Sequence, residues 1–169
     1  MRSSRRFPVF VLVTCAMVLA TVLVAQYWGG LAPCELCLTE RWPWRAAIVI
    51  SFVAMMAGSR PALPWVAFLL AGVFALGGAL AFYHVGVEQH WFAGPQACTA
   101  TAMPTTLAAL KAQLQHQQPT RCDEPAWTLC GVSLAGWNLF ASLMMAAISI
   151  AVAVGGYRER RAPAAGDAE

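Results

Sequence analysis

Four long apolar segments, separated by polar connections, dominate the pattern of the chain. A helix needs roughly 20 mostly apolar residues to cross a hydrocarbon core of about 30 Å. The first segment has no charged residue, and the second, the shortest, has Arg45 near its start. We predict four membrane-spanning helices, at about residues 7–27, 42–57, 65–83 and 132–154.

The composition supports this interpretation. The chain is 59% hydrophobic and only 11% charged, whereas soluble domains contain about 25% charged residues. We therefore expect an all-α integral membrane protein, a four-transmembrane-helix bundle that forms one domain over residues 1–169 in a lipid bilayer. The net charge of +3 does not indicate a nucleic-acid partner, because in membrane proteins the positions of basic residues report orientation.

The arginines are placed unevenly along the predicted helices. Seven of the eleven basic residues lie before the first helix, between the second and third, or after the fourth: Arg2, Arg5, Arg6, Arg60, Arg158, Arg160 and Arg161. The positive-inside rule places both termini and the tail at 155–169 in the cytoplasm. The loops at about 28–41 and 84–131 then lie outside, which in a bacterium is the periplasm, where disulfides persist.

The first outer loop contains a pair of cysteines, Cys34 and Cys37, followed by Arg41. Two cysteines at this spacing form a small disulfide whose thiol pKa values and redox potential can be tuned. If a helix begins near Leu36, Arg41 lies one turn beyond Cys37 and favours the Cys37 thiolate. The same spacing also occurs in zinc half-sites, haem attachment sites and structural disulfides, although haem attachment requires His where this chain has Leu38.

The second outer loop, at about 84–131, is long and polar, and it contains Cys98 and Cys122. Loops of this length are usually functional or disordered. Between the two cysteines, residues 105–114 have the pattern of a short amphipathic helix on the membrane surface. The two cysteines can form one structural disulfide across the loop, or the tethered loop can deliver them to a shallow site.

His84 and Glu88 lie at the outer end of the third apolar segment and share a face if its helix extends that far. Two interpretations stay open. The residues can belong to the polar and aromatic belt at the membrane surface. Alternatively, they form the polar wall of a head-group pocket, in which His84 acts as hydrogen-bond donor or proton source.

Other small residues within the apolar segments are predicted to serve packing. Gly72, Gly77 and Gly78 allow another helix to approach the third segment closely. Cys15 in the first helix and Cys130 at the start of the fourth are expected to pack as small hydrophobic side chains.

Three stretches of the chain resemble the disulfide bond formation protein B (DsbB) family. They are Pro33 to Pro43, with the sequence PCELCLTERWP, His84 to Glu88 (HVGVE) and Gly131 to Asn138 (GVSLAGWN). Together with the four helices and the distant cysteine pair, the resemblance covers nearly the whole chain except its charged tail.

The resemblance implies a thiol oxidase of the bacterial inner membrane that reoxidises a periplasmic DsbA-type oxidant and passes the electrons to a quinone. By this resemblance, Cys98 forms the mixed disulfide with the partner, and Cys98 and Cys122 exchange with it. Cys34 and Cys37 take the electrons onward, so all four cysteines are the implied catalytic residues.

The resemblance also implies a quinone site. Cys37 corresponds to the sulfur that contacts the quinone ring, Arg41 to the residue that supports quinone binding and reduction, and His84 to the histidine on the quinone side. Ubiquinone and menaquinone stay equally open, and no metal is expected. Cys15 and Cys130 have no counterpart in this pattern.

Three alternatives remain open at this point. The four outer cysteines of a non-enzymatic membrane protein would form two inert disulfides, but such disulfides need no cation near Cys37. A metal-binding membrane protein would use the same thiols, although Cys98 and Cys122 are far apart in sequence. An oxidase for a dedicated partner other than DsbA is the third.

Overall fold

The computed structural model describes residues 2–58, 60–95, 106 and 121–161, and these residues are mostly helical. Within the described residues, five α-helices follow one another in the order α1 (Arg2–Tyr27), α2 (Glu35–Thr39), α3 (Arg41–Ala57), α4 (Leu63–Glu88) and α5 (Leu134–Arg161). A 3₁₀ turn (Arg60–Ala62) precedes α4, and two short strands, β1 (Thr128–Leu129) and β2 (Val132–Ser133), precede α5. The helix predicted at 105–114 lies outside the described residues except for Thr106.

Three of these helices have the length and apolar composition needed to cross a membrane. They are α1 from Arg6 onward, α4 and α5, with 22, 26 and 28 residues and mean hydropathies of 2.6, 2.2 and 2.1. Helix α3 has 17 residues, which at 1.5 Å per residue is about 26 Å and thus less than a core of about 30 Å. A spanning role for α3 therefore stays a prediction.

The four long helices pack in pairs. Helix α4 lies along α5, α3 contacts both α1 and α4, and the core between them is apolar. Trp44 of α3 and Phe74 of α4 meet edge to face in this core, with ring centroids 5.5 Å apart. Large apolar side chains such as Phe68 and Phe140 are exposed on the outside. An apolar outer surface on an apolar core is the pattern expected of helices that face lipid.

Two of the three glycines predicted to allow close helix packing do so. A Cβ atom on Gly77 would lie 3.2 Å from Cβ of Pro43 and 3.3 Å from Oγ of Ser142, and one on Gly78 would meet a leucine of α5 at 3.3 Å. The prediction is wrong for Gly72, where a Cβ atom would meet nothing within 4 Å among the described residues.

The connection between α3 and α4 is short, as the run of helix-breaking residues predicts. Gly58 ends α3 with φ of 60° and donates its N–H to the carbonyl of Ala54 at 3.2 Å. A positive φ is inexpensive for glycine, which is why it commonly follows a helix. After the 3₁₀ turn, Pro64 lies in the first turn of α4, where the missing N–H has no cost. The connection makes α3 and α4 neighbours.

A two-stranded hairpin precedes α5, and the apolar pattern does not predict it. Strands β1 and β2 are antiparallel and leave two residues in the turn, Cys130 and Gly131. Both turn residues have positive φ, 53° and 79°, which is the conformation of a type I′ turn. The hairpin occupies the residues where the fourth apolar segment begins, so that α5 starts at Leu134.

Candidate functional site

The first two cysteines lie at the start of α2. Cys34 is its N-cap residue in extended conformation (φ −78°, ψ 170°), and its Sγ accepts the backbone N–H of Cys37 at 3.2 Å. The carbonyl of Cys34 accepts from Leu38 N at 3.1 Å. Because the N-cap side chain folds back over the first turn, the CxxC spacing brings both sulfurs to one place.

The two sulfurs form a close pair of free thiols. Cys34 Sγ and Cys37 Sγ are 2.8 Å apart and not bonded to each other. Cys34 is buried, whereas Cys37 is only half-buried. Closing the disulfide would bring them to about 2.05 Å, so only a small movement separates the reduced from the oxidised pair.

The charge of this pair is placed on Cys34. The hydrogen bond from the Cys37 thiol, together with a smaller contribution from His84, lowers the pKa of Cys34 to about 4 against the opposing effect of burial. The hydrogen bond to Cys34 and burial raise the pKa of Cys37. These directions favour the charge on Cys34, and the thiolate at Cys37 stays a prediction of the sequence. The cause is local, because the two sulfurs are 2.8 Å apart and a Cys34 thiolate can accept a hydrogen bond from the Cys37 thiol.

Arg41, the predicted partner of Cys37, is the first residue of α3 and is buried. Helix α2 ends at Thr39, and Nη1 of Arg41 donates to Oε1 of Gln26 on α1 at 2.8 Å. The remaining N–H groups of this guanidinium have no hydrogen-bond acceptor within the described part of the chain. A guanidinium has five N–H donors, so Arg41 retains donors for a further acceptor.

His84 connects the thiol pair to the bundle. Helix α4 continues through Glu88, so His84 lies inside the helix near its C-terminal end and is 3% exposed. Its Nε2 lies 3.6 Å from Cys34 Sγ, and its Nδ1 lies 2.7 Å from Oε1 of Glu40. The polar-wall interpretation of His84 agrees with this arrangement, because a buried ring bonded on both nitrogens is not part of a surface belt.

Glu40 and Asn138 are site residues that the sequence analysis missed. Glu40 separates α2 from α3, and its Oε2 accepts from Nδ2 of Asn138 on α5 at 2.6 Å. Oδ1 of Asn138 in turn accepts from Nε1 of Trp44 on α3 at 2.9 Å. A sequence signal did exist, because Asn138 is the sole side-chain amide in the apolar run of α5, and polar residues at membrane depth are usually functional.

Cys122 joins the site from the second loop. It is fully buried and packs in one cluster with Cys34 and Val87, against which Cys37 and Tyr83 also lie. Cys122 is disulfide-bonded. Its predicted partner Cys98 lies outside the described residues. The structure therefore brings one cysteine of the second loop beside the thiol pair of the first.

Two sulfurs and an imidazole nitrogen at one place raise the question of a metal. Cys34 Sγ, Cys37 Sγ and a ring nitrogen of His84 lie within 4.8 Å of one another. Two thiolates bound tetrahedrally to zinc at about 2.3 Å would lie about 3.7 Å apart, whereas these sulfurs are separated by 2.8 Å. The separation of the two sulfurs therefore fits a hydrogen-bonded dithiol better than two ligands of a zinc ion.

The two remaining cysteines differ from each other. Cys15 is fully buried in the core of the bundle, as predicted. Cys130 is exposed at the tip of the hairpin, so the prediction that it packs is wrong. The reason is that the hairpin turn directs this residue away from the core before α5 begins.

Comparisons with known proteins agree on one family. The family described as disulfide bond formation protein DsbB matches residues 4–152. Proteins named disulfide bond formation protein B are 26% identical in Stutzerimonas stutzeri, 30% in Azoarcus sp. and 31% in Methylococcus capsulatus. These alignments cover 88%, 79% and 80% of this chain and 93%, 84% and 85% of the relatives. No solved structure matches the chain.

Proposed function

Because the chain belongs to the DsbB family, we propose that it is a quinone-dependent thiol oxidase that reoxidises a periplasmic DsbA-type dithiol protein. As a member of this family with three candidate spans, it is a multi-pass membrane protein of disulfide bond formation. The identity of the electron donor, the quinone and the orientation of the site belong to the proposal.

The position of Cys122 is the observation that carries the proposal. A cysteine that only stabilises its own loop has no reason to be buried in the same cluster as the two thiols of another loop. A sulfur that must attack a disulfide, however, has to reach it, since exchange proceeds through direct attack of a thiolate on a sulfur. The cluster of Cys34, Cys122 and Val87 supports such an exchange.

The proposed exchange moves two electrons from the partner to the first loop. A partner thiolate attacks Cys98 of a Cys98–Cys122 disulfide, and its second thiolate then releases oxidised partner and the reduced loop pair. The Cys122 thiolate attacks Cys34, so that the Cys34–Cys37 bond breaks, a Cys122–Cys34 bond forms and Cys37 leaves as a thiolate. Attack of Cys98 on Cys122 restores the loop disulfide and leaves Cys34 and Cys37 reduced.

The residues near Cys37 are compatible with a quinone. Cys37 is half-buried while Cys34 is buried, so Cys37 is the sulfur of the pair that a ligand can reach. Arg41 retains N–H donors, which could bind a carbonyl oxygen. A quinone bound there would supply the two-electron, two-proton acceptor that lets the Cys34–Cys37 disulfide form again.

His84 completes the proposed site as the group that exchanges a proton with Cys34. Its Nε2 is the ring nitrogen directed at Cys34 Sγ, at 3.6 Å. Thiol exchange requires the thiolate as nucleophile, and a histidine next to the sulfur can hold the proton that the thiolate has lost. The low pKa of Cys34 supports this role.

The arrangement of the arginines supports an orientation with the site outside. Basic residues near α1's beginning and at the end of α5, among them Arg158, Arg160 and Arg161, favour a cytoplasmic location for these ends. The thiol pair lies at the opposite ends of the helices, near the end of α4. We place the protein in the bacterial inner membrane with this site facing the periplasm, where a DsbA-type partner is available.

Quinone reduction by the purified protein tests the proposal. Reduced DsbA-type protein and either ubiquinone or menaquinone are supplied, and the quinone spectrum is followed for wild type, Cys37→Ser and Cys130→Ser. We expect wild type and Cys130→Ser to reduce one of the two quinone types, with one quinone molecule reduced per dithiol. Cys37→Ser should reduce neither quinone. Cys130 is a suitable control because it is free, exposed and outside the site.

A wild-type protein that leaves both quinones oxidised with every dithiol donor would overturn the oxidase and favour inert loop disulfides. Reduction with another dithiol donor but not with the DsbA-type protein would replace the proposed partner by a dedicated one.

A further inference from the structure

A chain of hydrogen bonds connects Cys34 to the middle of the bundle. It runs from Cys34 Sγ to His84, from His84 to Glu40, from Glu40 to Asn138 and from Asn138 to Trp44, with separations of 3.6, 2.7, 2.6 and 2.9 Å. Five separate parts of the chain contribute: the N-cap of α2, the junction of α2 and α3, α3, α4 and α5. The proposed function uses only its first two members.

The donor and acceptor of each hydrogen bond follow from the last bond of the network, between Trp44 and Asn138. The indole of Trp44 is a donor only, so the atom of Asn138 that faces it at 2.9 Å must be the oxygen. The amide of Asn138 then presents its NH₂ group to Oε2 of Glu40 at 2.6 Å. Trp44 therefore fixes which way the Asn138 amide points, and Asn138 makes Oε2 of Glu40 an acceptor.

The same argument assigns the proton on the histidine. With Oε2 accepting from Asn138, Glu40 faces His84 as a carboxylate, whose Oε1 accepts from Nδ1–H of His84 at 2.7 Å. Nε2 is then the nitrogen that exchanges a proton with Cys34. A ring without this partner could rotate or carry its proton on the other nitrogen, because the bond at one nitrogen determines the tautomer.

The burial of Glu40 and His84 indicates that their hydrogen bonds serve more than packing. Glu40 and His84 are only 7% and 3% exposed. A buried carboxylate is costly unless it is paired and hydrogen-bonded, and packing alone would be served as well by an apolar side chain. Both oxygens of Glu40 are bonded, one to His84 and one to Asn138. This is the pattern of a carboxylate that orients a histidine.

We propose that Glu40 and Asn138 are positioning residues that hold His84 with Nε2 toward Cys34, so that His84 takes up and returns the proton of this thiol. The inference rests on the proposed thiol oxidase function and deepens it. Glu40 and Asn138 do not touch the reacting sulfur and act only through His84.

The proton balance of the proposed step is simple. When Cys34 ionises, its S–H bond breaks, the proton moves to Nε2 of His84 and the electron pair stays on sulfur. Closing the Cys34–Cys37 disulfide removes two electrons and two protons in all, which the quinone of the proposed function accepts. One of the two protons leaves through His84, and the histidine returns to its neutral form with Nδ1–H still donated to Glu40.

The other charged or titratable groups near this proton are few. Cys37 contacts Cys34 directly. Glu88, one turn beyond His84 on α4, is half-buried and receives the hydroxyl of Ser133 from β2 at 2.5 Å. Glu88 interacts with His84 through its charge, Cys37 Sγ lies within 4.8 Å of a His84 ring nitrogen, and Cys122 packs in one cluster with Cys34. Among the described residues, Glu40 is the only carboxylate hydrogen-bonded to His84, so a substitution there changes the one carboxylate bond that the ring makes.

The test follows the pH dependence of Cys34 itself. Reduced full-length protein is treated with iodoacetamide between pH 3 and pH 9, and alkylation of Cys34 is measured by peptide mass spectrometry. The variants are Glu40→Gln, which keeps the shape and removes the charge, and Glu40→Asp, which restores the charge. Asn138→Leu removes the amide, and Glu35→Gln is the control, since Glu35 is an exposed carboxylate next to Cys34.

We expect Glu40→Gln to move the midpoint of Cys34 alkylation upward by about one pH unit, because without the carboxylate His84 holds a proton less readily and stabilises the Cys34 thiolate less. Asn138→Leu should move it in the same direction by less, Glu40→Asp should return it toward wild type, and Glu35→Gln should leave it unchanged. A purely structural role would lower the yield of folded protein without moving this midpoint.

Coincident profiles for wild type, Glu40→Gln and Asn138→Leu would overturn the inference. If Glu40→Gln does not fold, Asn138→Leu decides alone, because leucine is similar in size and compatible with an apolar helix. The alkylation assay uses neither quinone nor partner. A shifted midpoint in a protein that cannot reduce quinone would therefore uphold the positioning role and refute the oxidase, and the reverse result would do the opposite.

Discussion

Cys34 and Cys15 are both buried in the same small bundle, with 5% and 0% of their surface exposed, yet their surroundings differ completely. Cys34 lies at the end of the bundle where α4 ends, hydrogen-bonded to Cys37 and within reach of His84. Cys15 lies in the middle among apolar side chains such as Val11 and Phe7. The comparison teaches that burial alone does not decide whether a thiol reacts, because its polar neighbours determine whether the thiolate can exist.

The same contrast holds for the polar groups of the two regions. At the end of the bundle that contains Cys34, both carboxylate oxygens of Glu40 and both ring nitrogens of His84 have partners. Further inside, the buried hydroxyls of Ser51 and Ser142 have none among the described residues. The bundle therefore concentrates its oriented hydrogen bonds at the end where the cysteines meet.

The largest expected effect separates the two cysteines directly. Cys34→Ser should abolish quinone reduction, because it removes the sulfur that Cys122 is proposed to attack. Cys15→Ala should leave the rate of quinone reduction by the folded protein unchanged. The loss of one sulfur atom from the core should cost Cys15→Ala about 1 kcal/mol of stability. Quinone spectroscopy measures the activity, and thermal unfolding in detergent measures the stability. An inactive Cys15→Ala variant with normal stability would contradict the contrast between the two cysteines.

The next effect concerns His84. His84→Gln should slow quinone reduction by about 10²–10⁴-fold, the usual contribution of a positioned proton-transfer group. The matched control is His90→Asn. His90 is exposed two residues beyond α4 with φ of 61°, a conformation that Asn tolerates. Equal rates of quinone reduction for the two variants would show that His84 has no special role.

A third prediction concerns pH. The pKa of Cys34, about 4, is far below the ordinary cysteine value of about 8.5, whereas that of Cys37 is raised. At pH 6 we expect alkylation of Cys34 in the reduced protein to be at least about tenfold faster than that of Cys37. Peptide mass spectrometry measures both, and faster alkylation of Cys37 would reverse the assignment of the charge.

The same shift fixes the sign of a stability effect. Because the folded pKa of Cys34 is lowered, ionisation of this thiol stabilises the reduced protein fully above about pH 8.5. The contribution declines as the pH falls and is lost below about 4. In the oxidised protein this titration is absent.

The smallest effect tests the middle of the bundle. Gly77→Ala should lower the free energy of unfolding by about 1 kcal/mol, because its Cβ would meet Pro43 and Ser142 at 3.2 and 3.3 Å. Gly72→Ala, with open space around the new Cβ, should not destabilise and is the control. Equal unfolding temperatures for the two variants would contradict the packing described here.

Much of this arrangement could be predicted from the sequence, since its signals are local or compositional. The apolar segments predicted α1, α4 and α5, and the CxxC spacing predicted the close pair of sulfurs. The break between α2 and α3 was not predicted, because a helix from Leu36 through Arg41 was considered instead. The hairpin before α5 was missed because each of its two strands has only two residues, too few to show an alternating pattern. The turn contains one glycine, Gly131, as a sequence signal. The other turn residue, Cys130, also has a positive φ, which is unusual for cysteine.

The pairing of residues within the polar network could not be predicted from the sequence, for a different reason. Glu40, His84 and Asn138 are separated by 44 and 54 residues and meet only once α3, α4 and α5 have packed together. Local sequence also suggested that Arg41 would set the charge of Cys37, but contacts from α1 determine where the guanidinium goes. Hydrogen bonds between distant helices leave no spacing pattern in the sequence.

The most direct test of the account is whether Cys34 and Cys122 join to each other. In the double variant Cys37→Ser/Cys98→Ser, each of these two cysteines has lost its proposed partner. Mild oxidation of the purified variant, followed by peptide mass spectrometry without reduction, should yield a Cys34–Cys122 disulfide while Cys15 and Cys130 stay as thiols. Free Cys34 and Cys122 after oxidation, or a Cys122–Cys130 disulfide instead, would contradict the exchange between the two loops.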